Sequence, residues 1–232
     1  MLDAHVVKVR PRFTVDVALR VLSGEACGLF GASGAGKSTI LACIAGAEAP
    51  DAGHVTLDGV TLFPPSLPLH LRGIGYLTQD ANLFPHLRVG ENVRFGLTNG
   101  ARDAGAAWIA ELRDRLQLEP IWQEPASAIS GGQARRVALA RMLARKPRLV
   151  LLDEPFTALD RHLVRELLGA LVHWQRELGF TMVVVDHESD VLARLCERVI
   201  AIEDGRMVQD ASWDELRSEP ATPLLARLLA PL

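Results

Sequence analysis

Gly31-Ala32-Ser33-Gly34-Ala35-Gly36-Lys37-Ser38-Thr39 is the stretch that decides the fold of this 232-residue chain. It has the spacing of a phosphate-binding loop: a glycine, four residues, then Gly-Lys-Ser. The glycines allow the backbone to curl so that successive N–H groups point at one phosphate chain. Lys37 offers a cation to the outer phosphates, and the Ser38 hydroxyl suits a Mg²⁺ ligand. The positive end of the following helix adds to the attraction for an anion.

The segments on either side of this loop favour a nucleotide site over the alternative, a glycine-rich turn with a chance lysine. Ala26 to Phe30 is a short apolar run typical of a buried strand, and Thr39 to Ala45 predicts a helix that ends at Gly46. Strand, loop and helix in that order are the setting that the motif requires. The sequence therefore predicts that residues 31–39 bind a nucleoside triphosphate.

Composition narrows the class of protein. Apolar residues make up 49% of the chain and charged residues 23%, with a net charge of −3, which is ordinary for a soluble globular protein and gives no argument for nucleic acid. No apolar run approaches the roughly 20 residues that cross a bilayer, and no secretory signal is visible. Cys27, Cys43 and Cys196 are predicted to be reduced thiols in the core. We therefore expect a cytoplasmic protein without a nucleic-acid partner.

Alternating strands and helices predict an α/β fold with a mainly parallel sheet. Val6–Val9 and Thr14–Val21 predict an N-terminal antiparallel part, while Leu149–Leu152 and Met182–Val185 are continuous apolar runs typical of covered parallel strands. Further segments are predicted as a turn at 50–53, an irregular loop at 63–70, a strand at 73–78, a long helix at 163–178 and a closing hairpin at 199–208.

Residues from about 80 to 145 differ in composition from the rest, and helical spacing prevails there. Trp108, Leu112 and Leu116 recur at i, i+4 and i+8, which predicts an amphipathic helix over 106–118. A second helix is predicted to open at Ser130 and to run to about Lys146. The prediction is a single domain over 1–232, with a helical subdomain at about 80–145 inserted into the α/β core and a helical tail at 211–232.

Two adjacent carboxylates follow the strand at 149–152. Parallel sheets present ligand groups at this end of their strands, so Asp153 can hold Mg²⁺ opposite Ser38, and Glu154 can orient or deprotonate a water. The alternative is a capping pair that leads into the turn at Pro155. Two carboxylates so close repel each other unless a metal shares the site, which favours the functional interpretation.

Three other features are candidates for contacts with phosphate or metal. Gln79 and His187 each follow a predicted strand, although a polar loop residue or a structural histidine would look the same. Ser130-Gly131-Gly132-Gln133 is more specific, because a glycine pair at a helix start exposes backbone N–H groups and makes a second anion site. Its alternative is an ordinary serine-capped helix.

Together these motifs resemble the nucleotide-binding subunit of an ATP-binding cassette (ABC) transporter, over roughly Val6 to Gln209. The loop at 31–38 resembles Walker A, Gln79 the Q-loop and Leu149–Asp153 Walker B. Ile129-Ser130-Gly131-Gly132-Gln133 resembles the signature, with Ile in place of the usual Leu. Ala158-Leu159-Asp160 resembles the D-loop and His187 the switch histidine. The fold implied is a P-loop NTPase core.

The resemblance implies roles for these residues. ATP contacts are implied for Gly31, Ala32, Ser33, Gly34, Ala35, Gly36, Lys37, Ser38, Thr39, Gln79, Ser130, Gly131, Gly132, Gln133 and Asp160. Mg²⁺ is implied at Ser38, Gln79 and Asp153, and catalysis at Glu154 and His187. Two cassettes would close face to face, each ATP lying between one Walker A loop and the signature of the other chain, as a homodimer or as paired different cassettes.

Two departures from the family pattern stand out. The family usually stacks adenine on an aromatic residue of the first hairpin, where Phe13 is a weak candidate and a core position is the alternative. Asp186 stands where Ser or Thr usually precedes the histidine. We hypothesise that this extra carboxylate slows turnover or alters the protonation of His187.

No membrane span is fused to the cassette, which favours an importer with separate permease subunits and a solute-binding protein, and a location on the inner face of the cell membrane. Leu71–Tyr76 and Asp80–Leu87 resemble the molybdate/tungstate importer ATPases, and thiamine-type cassettes share part of this pattern and match the chain length. The molybdate type often adds a C-terminal oxyanion-binding regulatory domain, for which the chain has no room. Leu83–Leu87 after Gln79 is expected to help form the groove for the permease.

The rival hypotheses are a non-transport ABC ATPase of repair or translation, and a binding module that has lost catalysis.

Overall fold

The computed structural model describes residues 1–11, 13–64, 67–97 and 105–230. Its strands are β1 (Leu2–Val9), β2 (Thr14–Val21), β3 (Ala26–Phe30), β4 (Ala52–Leu57), β5 (Val60–Phe63), β6 (Ile74–Leu77), β7 (Leu149–Asp153), β8 (Thr181–Val185), β9 (Arg198–Glu203) and β10 (Arg206–Ser212). Its helices are α1 (Lys37–Ala45), α2 (Val89–Arg94), α3 (Ala106–Arg115), α4 (Gly131–Leu143), α5 (Arg161–Leu178), α6 (Ser189–Leu195), α7 (Trp213–Ser218) and α8 (Pro223–Leu229).

The described strands form one sheet in the order β5-β4-β1-β2-β10-β9-β3-β8-β7-β6. One half is parallel: β6 pairs with β7, β7 with β8, and β3 with both β8 and β9. The other half is antiparallel, since β1 pairs with β2 and β4, and β4 with β5. The predicted α/β fold, with a mainly parallel core and an N-terminal antiparallel part, is confirmed.

The parallel half of the sheet separates two hydrophobic cores. Successive side chains of a strand point to opposite faces. Val150 and Leu152 of β7 accordingly belong to one core together with residues of α2 to α7, while Leu149 and Leu151 belong to the other with α1 and the N-terminal strands. Every residue of β7 and of β8 is buried. A strand covered on both faces must be apolar throughout, which explains the continuous runs in the sequence.

The helices between β6 and β7 pack against the first of these cores. Trp108, Leu112 and Leu116 are buried, as the amphipathic pattern predicted, although α3 ends at Arg115 rather than at residue 118. Residues 98–104 of the predicted helical subdomain lie outside the described residues. The division of 1–232 into one cassette domain with a helical insertion and a C-terminal tail stays a prediction.

Several predicted boundaries are wrong by a few residues. β1 begins at Leu2 rather than at Val6, and β4 begins at Ala52, inside the predicted turn at 50–53, because the two strands pair with each other over this length. The helix opened by Ser130 ends at Leu143, before Lys146. In the loop predicted at 63–70, Leu69–Leu71 forms one turn of 3₁₀ helix, and residues 65–66 lie outside the described part. β10 extends to Ser212, so the tail helices start at Trp213.

The three cysteines are buried free thiols, as predicted. Burial raises the pKa of Cys27 to about 12 and that of Cys43 to about 11.

Among the helices in the described part of the chain, none combines the length and apolar character needed to cross a bilayer.

Candidate nucleotide-binding site

The glycine-rich loop joins the end of β3 to the start of α1. Gly31 has φ +150° and Gly36 has φ +103°, both in the range that favours glycine. A Cβ at Gly31 would lie 2.1 Å from the Ile202 carbonyl oxygen, and one at Gly36 would lie 2.8 Å from the Val15 side chain. Gly36 also occupies the N-cap position of α1, so no side chain there bonds the first N–H groups of the helix. The loop is therefore closely packed against β2 and β9, and its helix start keeps donors for an anion.

The Lys37 side chain is 8% exposed and lies along the inside of the loop. Its ammonium donates hydrogen bonds to the carbonyl oxygens of Gly31, at 2.8 Å, and Ala32, at 2.9 Å. Burial lowers the pKa of Lys37, and the nearby charges of Glu154, Asp153 and Asp186 act in the opposite direction. The Lys37 ammonium supplies a positive charge at the loop, whereas the nearby carboxylates need a cation beside them before phosphate can approach.

Asp153 brings the end of β7 against the start of α1. Asp153 is 2% exposed, and its Oδ1 accepts a 3.1 Å hydrogen bond from the Ser38 hydroxyl. Burial raises the pKa of Asp153, the Ser38 hydrogen bond lowers it, and the charge of Glu154 raises it further. A hydroxyl and a carboxylate side by side are hard oxygen donors, the kind that holds Mg²⁺ beside a substrate phosphate. The residues present therefore fit this metal.

Glu154 has an unusual backbone conformation. Its φ of +49° lies in the left-handed region, which costs free energy for a residue with a Cβ and is enriched at functional sites. The Glu154 N–H donates to the Val185 carbonyl oxygen at 2.9 Å, and the Thr157 hydroxyl lies 3.5 Å from Glu154 Oε2. The neighbouring strand β8 thus helps to hold the strained residue in place.

Lys37, Ser38 and Glu154 line one cavity of about 490 Å³, whereas Asp153 lies behind Ser38 and does not line it. Its lining residues are Arg10, Pro11, Phe13, Ser33, Gly34, Gly36, Lys37, Ser38, Thr39, Gln79, Glu154 and His187. The structure thus brings Gln79, Glu154 and His187 to the glycine-rich loop, from three segments far apart in the sequence. This is the cavity that a nucleotide would occupy.

Arg10, Pro11 and Phe13 of the first hairpin also line this cavity. Phe13 is partly buried, and its ring lies 3.3 Å from where a Cβ of Gly36 would be. Arg10 donates to the Thr39 hydroxyl at 3.0 Å and to Glu48 at 2.6 Å. Sequence reasoning considered Phe13 but missed Arg10 and Pro11. Pro11 could have indicated them, because a proline marks the turn between β1 and β2, and this turn lies at the cavity.

Asp186 is buried at the end of β8, with 4% exposure. Its Oδ1 accepts a 3.0 Å hydrogen bond from the Glu188 N–H and lies 3.7 Å from Nδ1 of His187, whose side chain is 61% exposed. Burial raises the pKa of Asp186, and the hydrogen bond from Glu188 lowers it. The carboxylate therefore has a structural role in the turn before α6. Its effect on turnover stays a prediction.

The signature-like residues lie outside the cavity that the described residues form. Ser130 and Gln133 bond each other in a capping box: the Ser130 hydroxyl accepts from the Gln133 N–H at 3.3 Å, and Gln133 Oε1 accepts from the Ser130 N–H at 2.8 Å. Gly131 is exposed, and a Cβ at Gly132 would lie 3.0 Å from the Ala158 carbonyl oxygen. The helix start at Ser130 is thus free of contacts with the cavity of its own chain.

Asp160 also stands apart from the cavity. Its Oδ1 accepts hydrogen bonds from the N–H groups of His162 and Leu163, both at 3.0 Å, and so caps α5. Those bonds lower the pKa of Asp160. The structure gives Asp160 a capping role, and its predicted ATP contact stays a prediction.

The sheet, the glycine-rich loop and the carboxylates at the end of β7 define a P-loop nucleotide-binding protein. The family model described as "ABC transporter" matches residues 15–157. The chain therefore belongs to the ABC transporter family, and it is an ATPase, as the sequence predicted.

Relatives and solved structures agree with this family. The thiamine import ATP-binding protein ThiQ of Jannaschia sp. (strain CCS1) is 40% identical over 95% of this chain and 97% of its own length. The Fe(3+) ions import ATP-binding protein FbpC of Mesorhizobium japonicum is 40% identical over 92% of this chain, which spans 60% of that longer relative. A solved dimeric ATP-binding cassette in a post-hydrolysis state, bound to ADP and Pi, has 30% sequence identity and a TM-score of 0.80, and the match covers 91% of this chain and 98% of that one.

The names of the relatives correct one expectation. They are import proteins for thiamine, Fe(3+), sulfate/thiosulfate, methionine and spermidine/putrescine, and molybdate is not among these solutes. The predicted likeness to molybdate/tungstate importers rests on two short segments near Gln79. Short segments shared by many cassettes do not distinguish solutes, because a cassette does not contact the solute.

Proposed function

We propose that this chain is the ATP-hydrolysing subunit of an ABC importer, located on the inner face of the cell membrane. The observation that carries the proposal is the cavity in which Lys37, Ser38, Glu154 and His187 meet. The relatives named above support the proposal, because they are import ATP-binding proteins.

In the proposed site the loop at 31–39 cradles the phosphates of ATP. Its amides and the Lys37 ammonium bind the phosphate oxygens, the ammonium exchanging the carbonyls of Gly31 and Ala32 for phosphate. Ser38, Gln79 and Asp153 would hold Mg²⁺, which supplies positive charge that neutralises the phosphate oxygens. The Glu154 carboxylate orients the attacking water and accepts its proton, and His187 contacts the terminal phosphate.

The exposed helix start at Ser130 supports a two-chain site. The helix start at Ser130–Gln133 does not line the cavity of its own chain, and its capping box uses the N–H groups of Ser130 and Gln133 but not those of the two glycines. A second copy, or a paired cassette, that closes face to face would bring this end to the ATP of its partner, with Asp160 beside it. Two solved cassettes similar to this chain are dimeric. ATP would then act by binding the closed pair more tightly than the open one.

The permease is proposed to bind a groove of about 450 Å³ beside Gln79. Phe84 and Phe95 lie there with ring centroids 4.1 Å apart, and Phe95 is 58% exposed. The Arg141 guanidinium lies 5.4 Å from the Phe84 ring. Within the predicted segment 83–87, Phe84 lines the groove, whereas Leu83 packs against the core. An aromatic pair beside a cation, with Phe95 exposed and Phe84 half-buried, suits an amphipathic helix of a membrane subunit.

The permease proposal is tested with Phe84→Asp in the assembled transporter. We expect the variant to keep the ATPase activity of the isolated cassette but to lose its stimulation by the permease and the solute-binding protein. Phe84→Leu is the matched control, because it keeps an apolar side chain in the groove. Coupling that is unchanged in Phe84→Asp would exclude this groove as the docking site.

For the solute, thiamine has the support of a relative that this chain matches along nearly its whole length. An Fe(3+) import relative is equally identical, but this chain spans only 60% of its length. Uptake of labelled thiamine and of labelled Fe(3+), compared in cells with and without this chain, tests the two solutes. Loss of thiamine uptake alone supports thiamine, and unchanged thiamine uptake contradicts it.

The ATPase mechanism is tested with Glu154→Gln. We expect Mg²⁺-dependent hydrolysis to fall roughly 100-fold, the size of a general-base contribution. ATP binding should persist, and ATP should stabilise a dimer visible by light scattering. Glu177→Gln makes the same chemical change on the exposed side of α5 and should change neither property. If Glu154→Gln hydrolyses ATP as fast as the wild type, Glu154 is not the base.

A further inference from the structure

One buried arginine of α4 connects the two loops that carry the proposed catalytic groups. Arg135 is 4% exposed and lies two residues after Gln133. Its guanidinium points between the glutamine loop, defined here as residues 78–80 after β6, and the carboxylate loop, residues 153–155 at the end of β7. A buried guanidinium must satisfy its five N–H donors within the protein, so its bonding partners are informative.

All five donors of Arg135 find main-chain carbonyl oxygens. Nε donates to Pro155 at 3.1 Å, and Nη2 donates to Asp153 and Glu154, both at 2.5 Å. Nη1 donates to Gln79 at 2.9 Å and also to Thr78. The two edges of one rigid, planar group are thus divided between the two loops.

This arrangement fixes the backbone from which the reactive side chains project. Glu154 is held in its left-handed conformation on both sides, because its N–H bonds Val185 and its carbonyl oxygen bonds Arg135. Gln79 and Asp153 are anchored through their carbonyl oxygens in the same way. Since the acceptors belong to the main chain, the contacts leave the side chains of all three residues free for ATP, metal and water.

We propose that Arg135 is a positioning residue that sets the separation of Gln79 from Asp153 and Glu154 and ties both loops to the helix that begins at Ser130. The inference rests on the proposed function, because it concerns the same ATPase site. A movement of α4, such as closure against a second chain would cause, is transmitted by the guanidinium to both loops together. Small displacements of reacting groups have large kinetic effects, about 100-fold for 1 Å.

The neighbouring Arg136 provides a matched control. It lies on the same helix, and its Nη1 donates to the main-chain carbonyls of Leu116 at 2.8 Å and Gln117 at 3.0 Å. Those acceptors follow α3 and are not part of the cavity that binds nucleotide. Arg136→Gln therefore removes a similar side chain and similar hydrogen bonds without touching either loop.

The first readout is amide hydrogen exchange of the purified chain without nucleotide or Mg²⁺, so it is independent of activity. In Arg135→Gln we expect faster exchange in both the glutamine loop and the carboxylate loop, with α1 unchanged. In Arg136→Gln we expect faster exchange near residues 116–118 instead. Arg135→Lys keeps the charge, but one ammonium cannot span both loops, so at least one loop should lose protection. Wild-type exchange in both loops of either Arg135 variant overturns the proposal.

The second readout separates positioning from general destabilisation. For Arg135→Gln we expect kcat to fall at least about tenfold while KM for ATP changes less than about twofold, because Lys37 and its loop are untouched. Arg135→Lys should fall between this variant and the wild type, and Arg136→Gln should keep the wild-type kcat. An equal loss of kcat in Arg135→Gln and Arg136→Gln contradicts the proposal. A wild-type chain without ATPase activity would refute the proposed function, whereas the exchange data test the role of Arg135 alone.

Discussion

The start of α1 and the start of α4 carry similar sequence signals but have opposite surroundings. The α1 end, at Gly36, lies inside a cavity of its own chain, has no capping side chain and is followed by the buried Lys37. The α4 end, at Ser130, is exposed and is capped by its own side chains. The same kind of helix start therefore occurs in two settings, and only the α1 end has a cavity of its own chain beside it.

The largest expected effect comes from removing the cation of the α1 end. Lys37→Ala should lower ATP hydrolysis at least about 100-fold, the scale measured when one preorganised charge-stabilising group is lost, and should weaken ATP binding. Steady-state hydrolysis and titration calorimetry with ATP measure the two effects. Arg20→Ala, which removes a cation that is 74% exposed on β2, should leave both unchanged. Normal ATP binding by Lys37→Ala would show that the α1 end is not the phosphate site.

The α4 end is expected to act only between chains, and Gly131→Asp tests this directly. A Cβ at Gly131 meets no atom within 4 Å, so the substitution should not disturb the fold. We expect a single chain to bind ATP as the wild type does, but hydrolysis and ATP-dependent dimerisation to fall at least about tenfold. The physical reason is that like charges across an interface cost several kcal/mol.

Gly169→Asp is the control for this substitution, since Gly169 on α5 is exposed and also has open space at its Cβ. Unchanged dimerisation and hydrolysis in Gly131→Asp would break the comparison, because the α4 end would then have no role between chains.

Much of the fold was predictable because the strongest signals are local. The apolar runs of β7 and β8 and the glycine at the end of α1 have one simple physical meaning each, and the structure agrees with them. The boundaries that were wrong depend on partners distant in sequence. Ala52 belongs to β4 because it pairs with Val7 of β1, which no local pattern reveals.

The site was predictable in its motifs but not in its connections. Glycine spacing predicted the loop that lines the cavity, and the position of Asp153 after a buried strand predicted its place beside Ser38. The links made by Arg135 could not be predicted, because its acceptors are carbonyl oxygens that every residue possesses, and only the packing of α4 decides which of them it reaches. The place of Arg10 in the cavity could not be predicted for the same reason, because it depends on how the first hairpin packs against the glycine-rich loop.

The aromatic side chain beside the α1 end extends the comparison beyond the phosphates. If adenine stacks on Phe13, Phe13→Ala should raise KM for ATP about tenfold with little change in kcat, because base–aromatic stacking contributes ~1–3 kcal/mol. Phe63→Ala is the control, since Phe63 packs against the same core as Phe13 but does not line the cavity. Similar KM values for the two variants would assign Phe13 to the core alone.

The smallest effect concerns the cap of α4, and a second serine in this chain makes it measurable. Ser212 caps α7 with Glu215 in the same capping box that Ser130 forms with Gln133. Replacing either serine by Ala removes one cap, so each variant should lose about 1 kcal/mol of unfolding free energy and lower Tm by ~2–4 °C. Calorimetry without ATP should therefore find the two variants alike. ATP should separate them, because only the Ser130 hydroxyl would face the second chain in the proposed dimer, and Ser130→Ala alone should weaken ATP-driven dimerisation several-fold. Equal dimerisation of the two variants would reduce Ser130 to an ordinary helix cap.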